Sequence, residues 1–434
     1  MMLAAAMAAG GFALTVLAFY PGYMTNDAIY VYQFAKEGRF GDWQSPLMSI
    51  VWRLIDPLAP GPASMFLLIA TLYWLAFGTL ALAMARRSAW LGAIVTLLAL
   101  FPPGFLFLSM LWRDVLLAAV WLLALAVVYA AVERPARSRW PVQALALVLV
   151  GFGVLLRPNA IIAAPLLAAY ILWPARFDWK RAAILFVPAL VAGYALIHVV
   201  YYEILDVKRE NPLHSLLVFD LGGITHFSGE NQFPVSWSAG ETRLLTSQCY
   251  DPTRWDTYWT IEPCRFVMQR LERPDDVIFG TSRLTQAWAR AVTAHPLAYL
   301  AHRASFMWTF LAGSNVTLET YHVHDPARTP LARNRVFQAL LSLHDVLKPT
   351  PLFRSGFWLI LAAAVFAFAW RGRATPAGAL AIGLTGSAIV YVMTYFPFGV
   401  ATDFRYGYWC VLATLAGAAV LPARPKQQLS ARPA

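Results

Sequence analysis

The chain has 434 residues, of which 59% are hydrophobic and only 13% charged, with a mean hydropathy of +0.56. So much apolar surface excludes an ordinary soluble domain and predicts an all-α polytopic membrane protein. The formal charge of +11 does not call for a nucleic acid, because much of the excess lies in short groups between apolar runs, as the positive-inside rule explains.

Met1–Tyr20 is apolar, has no basic n-region and no small-residue cleavage site, and is expected to be a retained first helix. It is followed at 25–47 by TNDAIYVYQFAKEGRFGDWQSPL, which brings in Asp27, Glu37 and Asp42 before the chain turns apolar again. Further spans are expected at about 63–85, 89–108, 113–132, 140–156, 159–174, 182–202, 355–370, 376–397 and 404–421. With the first helix these make about ten. They put Arg86–Arg87, Arg134/Arg137/Arg139, Arg176/Lys180/Arg181, Arg371/Arg373 and Arg424/Lys426/Arg432 on the cytoplasmic side, together with both termini.

The expected organisation is an N-terminal membrane module over 1–202 with a first outer loop at 21–62, and a long extracytoplasmic region over 203–354. A C-terminal membrane module over 355–421 and a disordered cytoplasmic tail over 422–434 complete it. The segment 297–312, LAYLAHRASFMWTFLA, is apolar but carries His302 and Arg303; it is expected to lie at the outer interface rather than to span. Because the inner loops are short, any chemistry is expected on the outer side.

The outer residues supply the candidates. A carboxylate at a membrane boundary is costly unless paired, hydrated or used. Asp27 and Asp42 are therefore candidate proton acceptors; Asp27 can equally cap the helix starting near Ala28, and Asp42 can sit in a Gly41-Asp42-Trp43 turn. Surplus arginine on the outer side also needs a local reason. Arg113, Arg157 and Arg405 are candidate phosphate ligands, with Tyr406 and Tyr408 as neighbouring donors. Asp114 and Asp403 can instead neutralise those arginines.

Asp114, His226, His295 and Arg303 are candidate substrate contacts, and Lys208 and Arg209 are further cations in reach of a phosphate. The aromatic residues of 227–259 can stack on sugar rings or form the core of a loop subdomain. Cys249 and Cys264, in CYDPTRWDTYWTIEPC, are expected to form a disulfide in an oxidising compartment, whereas Cys410 reads as a small buried hydrophobe. No Cys/His spacing resembles a zinc site, and the polar run His322-Val-His324-Asp325 reads as a loop.

Asn26-Asp27-Ala28, then Tyr30-x-x-x-Phe34-Ala35, then Gly41-Asp42-Trp43-Gln44-Ser45-Pro46 resemble the first outer loop of the GT-C glycosyltransferases. The closer likeness is to the bacterial lipid A aminoarabinose transferases and the protein O-mannosyltransferases. The match in residue type covers about 25 residues; elsewhere the likeness is architectural.

The resemblance implies a GT-C-like fold in the bacterial cytoplasmic (inner) membrane. It implies transfer of a sugar, with inversion, from a polyprenyl-phosphate donor to a lipid, glycan or protein acceptor at the periplasmic face, with Asp27 as catalytic base. Two departures limit it: Asn26-Asp27 stands where family members often pair acidic residues, and Ser45-Pro46-Leu47 replaces a doubled proline. Sugar, acceptor and metal requirement therefore do not transfer. Some superfamily members use a divalent ion and others none, and Asp27 with Asp42 does not make a metal site. The competing readings are a transporter or flippase of a lipid-linked substrate, and an O-antigen ligase- or polymerase-like assembly protein.

Overall fold

The computed structural model describes residues 1–313 and 330–423. The His322/His324 run and nearly all of the C-terminal tail lie outside these residues. Every named element among them is helical, and extended pairing is confined to isolated bridges. Six helices are long and apolar enough to cross a membrane: Met2–Phe19, Pro62–Ala85, Arg113–Ala130, Ala136–Leu156, Trp179–Ile204 and Pro376–Phe398. A seventh results if Ala89–Ala99 and Pro102–Ser109, bent by 58° at the Leu100-Phe101 break just before Pro102, count as one span. The protein is thus a membrane-embedded helical bundle.

The remaining expected spans are shorter or interrupted. The 159–174 segment divides into a 3-10 stretch Pro158–Ile162 and a short helix Ala164–Leu172. Ser355–Trp370 has 16 residues, and the last span opens as a 3-10 turn, Phe404–Gly407, before the 13-residue helix Tyr408–Val420. Backbone that leaves the α-helix at membrane depth is tolerated where protein surrounds it.

Arg113–Ala130 is the central helix. It is buried on nearly every side and packs on Pro62–Ala85, Ala136–Leu156, Pro376–Met393 and Tyr408–Val420. Trp121 is its anchor, edge-on to Trp409 at 5.3 Å, with its indole N–H donating to the Val150 carbonyl at 3.1 Å. Gly153 permits this approach, because a Cβ there would lie 2.1 Å from the Trp121 ring. Trp179–Ile204 is peripheral instead and exposes Ile184, Val187, Val191 and Tyr194, the surface expected of a lipid-facing helix.

The stretch from 205 to 354 contains the helices Leu213–Ser228, Ala239–Ser247, Ser282–Ala294, Pro296–Ala312 and Arg335–Leu347. A fully buried network ties it together. Asp220 pairs with Arg303 and, at 3.1 Å, with His302, and accepts from the Trp288 indole at 2.7 Å. Arg303 also donates to the Gly399 carbonyl at 2.7 Å. His302 and Arg303 therefore face into the protein, sandwiched with Pro296–Ala312 between Leu213–Ser228 and Ser355–Trp370. The lone carboxylate in the apolar run LLVFDLGG is the partner that makes an arginine in LAHRASF tolerable.

Replacing Arg303 by Met leaves Asp220 with a histidine and an indole in place of a full cation. We expect a loss of about 3–5 kcal/mol in denaturation measurements, and a smaller loss when Asp220→Leu is added.

Candidate functional site

Isolated backbone bridges converge on one cleft. Tyr23 pairs with Met110, its N–H donating to Ser109 O at 2.7 Å and its carbonyl accepting from Leu111 N at 3.1 Å. This fixes the helix Asn26–Glu37, and with it Asp27, against the segment leading into Arg113. Gly41 pairs with Lys208. A Cβ at Gly41 would lie 2.3 Å from the Glu210 carboxylate, so any larger residue there would displace that side chain. Arg254 pairs with Ala401, with Trp255 N donating to Val400 O at 2.9 Å and Thr402 N to Thr253 O at 2.9 Å. That last bridge lays the Cys249–Cys264 loop along the strand-like segment that runs into Arg405.

The cleft has a volume of about 680 Å³. Asp27, Arg113, Arg405, Tyr406 and Gln44 line one part; Trp43, Trp255, Asp256 and Trp259 line another, with Glu210 and Glu272 also at its wall. Asp27 lies in the first turn of its helix, where the dipole favours an anion. It does not cap the helix: Thr25 is the N-cap and makes no side-chain capping bond. One Asp27 oxygen meets Arg405 at 2.7 Å and the other accepts from the Gln44 amide at 3.3 Å.

Burial alone would raise the Asp27 pKa. The charges of Arg405 and Arg113 and the hydrogen bonds from Arg405 and Gln44 more than offset it and hold the carboxyl below its usual range.

Arg405 is held from several sides. It reaches Asp403 at 3.5 Å and the Tyr406 hydroxyl at 3.3 Å, and lies over the Trp112 and Tyr406 rings at 4.9 and 5.1 Å. Trp112 is itself fixed by its indole N–H donating to Thr25 Oγ1 at 2.9 Å. Arg113 differs: it is half-buried at the cleft wall and has neither a hydrogen-bond nor an ion-pair partner among the described residues. Its guanidinium is an open anion-binding group.

Several expected residues do other work. Arg157 does not line the cleft; it pairs with buried Asp114 at 3.0 Å, donates to the Tyr395 hydroxyl at 2.7 Å and stacks over Tyr406 at 4.8 Å. It and Asp114 therefore form a neutralised pair supporting Tyr406 from behind. Tyr408 is fully buried and donates to the Gly104 carbonyl at 2.6 Å, so it offers nothing to a ligand in the cleft.

Asp42 is not a second cleft carboxylate. Its oxygens accept from the Tyr202 hydroxyl at 2.9 Å and Glu210 N at 2.7 Å, joining the 40–43 turn to 202–210. His226 meets the Thr246 carbonyl and stacks on Tyr250, and His295 pairs with Glu230 at 3.7 Å. Arg303 belongs to the buried network, and Arg209 lies 3.9 Å above the Tyr202 ring. Cys249 and Cys264 are joined as expected, and Cys410 is buried. No cluster of three metal-binding side chains occurs among the described residues.

The sequence reading passed over Gln44, Glu210 and, above all, Asp256. The signal for Asp256 was present in Trp255-Asp256-Thr257-Tyr258-Trp259, a carboxylate between tryptophans inside the disulfide loop. What it lacked was any indication that this loop returns to Arg405.

Comparison with protein-family models, curated proteins and solved structures found no match.

Because the folded Asp27 pKa lies below its unfolded value of about 4, its stabilising contribution is complete above about pH 4 and fades as pH falls through the folded pKa. Thermal melts from pH 3 to pH 7 are expected to show an acid limb that is smaller in Asp27→Asn. Separately, Cys249→Ser opens a loop with a sequence separation of 15. We expect a loss of about 3 kcal/mol and new protease cleavage within 250–263, read by mass spectrometry.

Proposed function

We propose that this protein is a membrane glycosyltransferase of GT-C type, moving a sugar from a polyprenyl-phosphate donor to an acceptor at the extracytoplasmic face of the bacterial inner membrane. One observation carries the reading: an unpartnered guanidinium, Arg113, stands in a cleft beside the Asp27–Arg405 pair, and this cleft adjoins an apolar groove. The groove, about 340 Å³, is lined by residues such as Ile161, Ile162, Leu213, Leu216 and Phe398, and shares Pro212, Ser215 and Val400 with the cleft. A ligand with an anionic head and a greasy tail matches that combination.

The chemistry needs little from the protein beyond placement and charge. The acceptor hydroxyl oxygen attacks the anomeric carbon, the carbon–oxygen bond to phosphate breaks, and the phosphate leaves with the electron pair. Arg113 and Arg405 stabilise the charge that grows on its oxygens. Since the leaving group is already a phosphate, no strong general acid is required, in contrast to a glycosidase with its two carboxylates. Asp27 holds Arg405 at the phosphate position and, by the GT-C resemblance, is a candidate for the acceptor proton.

The test is sugar transfer from a panel of radiolabelled polyprenyl-phosphate sugars, by purified protein, in extracts supplying native acceptors. We expect transfer by the wild type and a donor affinity weakened about 10–100-fold in Arg113→Gln, the equivalent of about one charge-assisted hydrogen bond. Donor left intact by folded wild-type protein under all conditions refutes the enzyme reading and favours transport of a lipid-linked substrate.

A further inference from the structure

A cluster of indoles at the cleft wall has its own construction. Trp255 and Trp259 stack with centroids 5.4 Å apart at 21°, and Trp43 meets them at 5.6 and 5.7 Å. Trp255 is buried beneath the cluster, whereas Trp259 remains 44% exposed. Such a tier of indoles offers the flat apolar face on which the C–H groups of a pyranose ring pack, and a fixed cluster loses little entropy on binding.

Asp256 lies between two of these indoles in sequence and lines the same cleft. Among the described residues no other residue hydrogen-bonds its carboxylate, and the nearby Arg254 pairs with Asp251 at 3.6 Å instead. The contrast with Asp27 is direct, since both Asp27 oxygens are already engaged by Arg405 and Gln44. Gln44, also at the cleft wall, has its side-chain carbonyl oxygen buried and without a hydrogen-bond partner among the described residues.

We infer that the Trp43–Trp255–Trp259 cluster with Asp256 is an acceptor subsite for a neutral or amino-bearing sugar, and that Asp256 takes the proton of the attacking hydroxyl. The inference rests on the glycosyltransferase reading for its chemical step and on the indole cluster alone for its binding step. In the chemical step the acceptor O–H bond breaks toward Asp256, the new glycosidic bond forms at the anomeric carbon, and the phosphate departs with the electrons of the broken bond. Asp256 ends protonated and returns its proton to water. Burial, together with the negative charge of Asp27, raises the Asp256 pKa above the ordinary range, with Arg254 and Arg405 acting in the opposite sense. A carboxylate so placed is a better proton acceptor than Asp27, which is held low.

Glu210 and Glu272 at the same wall set the charge preference: they oppose an acidic acceptor and favour a neutral or cationic one. The disulfide loop and its bridge to Ala401 carry the cluster to the phosphate side.

Binding and turnover test the inference separately, on the full chain in lipid nanodiscs. For binding, soluble neutral, amino-bearing and uronic-acid oligosaccharides are titrated while tryptophan fluorescence is read. We expect saturable quenching by neutral or amino sugars in the wild type, weakened at least tenfold in Trp259→Ala and unchanged in Arg113→Gln. Quenching by none of the panel, equal quenching in Trp259→Ala, or preference for uronic acids overturns the subsite.

For turnover, donor binding and transfer are measured in Asp256→Asn and Asp27→Asn, with melting temperature as a control for folding. We expect Asp256→Asn to bind donor within about twofold of wild type while turnover falls at least a hundredfold, and Asp27→Asn to weaken donor binding. Undiminished turnover in Asp256→Asn overturns its role as proton acceptor. Sugar binding at Trp259 in a protein that consumes no donor refutes the glycosyltransferase reading and the chemical step with it, and leaves the subsite standing.

Discussion

The contact between Asp27 and Arg405 joins the first loop of the chain to the start of its last helix, at 2.7 Å. Arg405, the more buried of the two, would be expensive there alone, since removing an ion from water costs energy unless a partner and hydrogen bonds compensate. The surrounding structure supplies the compensation: Gln44 and the first turn of Asn26–Glu37 for the carboxylate, and Asp403, Tyr406 and the Trp112 ring for the guanidinium. The Arg157–Asp114 pair then neutralises the layer behind. With those charges matched, Arg113 stands at the cleft wall without an ion-pair or hydrogen-bond partner among the described residues.

Three charge pairs illustrate how similar residue types acquire different duties. Asp220–Arg303 is wholly buried and knits the helices Leu213–Ser228 and Pro296–Ala312 to Gly399. Asp114–Arg157 is nearly buried and positions aromatic rings. Asp27–Arg405 has both of its members at the wall of the cleft. Burial thus separates structural from functional candidates better than residue identity does, because a charge sealed away from solvent has no route to a substrate. The same criterion removes Tyr408 and retains Tyr406, though they are two residues apart.

Much of the organisation was legible in the chain. Hydropathy marked the main membrane helices, since a helix surrounded by lipid has to be apolar along its whole length whatever it packs against. The count of ten was not decided in the same way. Several apolar segments are short or bent, as at Leu100-Phe101 and Pro158–Ile162, and a short apolar helix buried in protein reads the same as one crossing a bilayer. Asp27, Arg113 and Arg405 stood out because charge beside apolar sequence demands an explanation. Asp42, Arg157 and Arg303 stood out for the same reason, and the tertiary structure gave them internal partners.

By itself, then, the sequence determined that this is a membrane-embedded helical protein, which residues bear costly charges, and that Cys249 and Cys264 could be joined. Those are properties of composition and local pattern, felt by each segment alone. Only the tertiary structure decided which charges are matched and which face a cavity, and that Asp256 with its flanking tryptophans lines the same cleft as Arg405. The reason is that partners such as 27 and 405, 220 and 303, or 254 and 401 lie far apart in the chain. Their meeting depends on helix packing and a few backbone bridges that no local sequence pattern encodes.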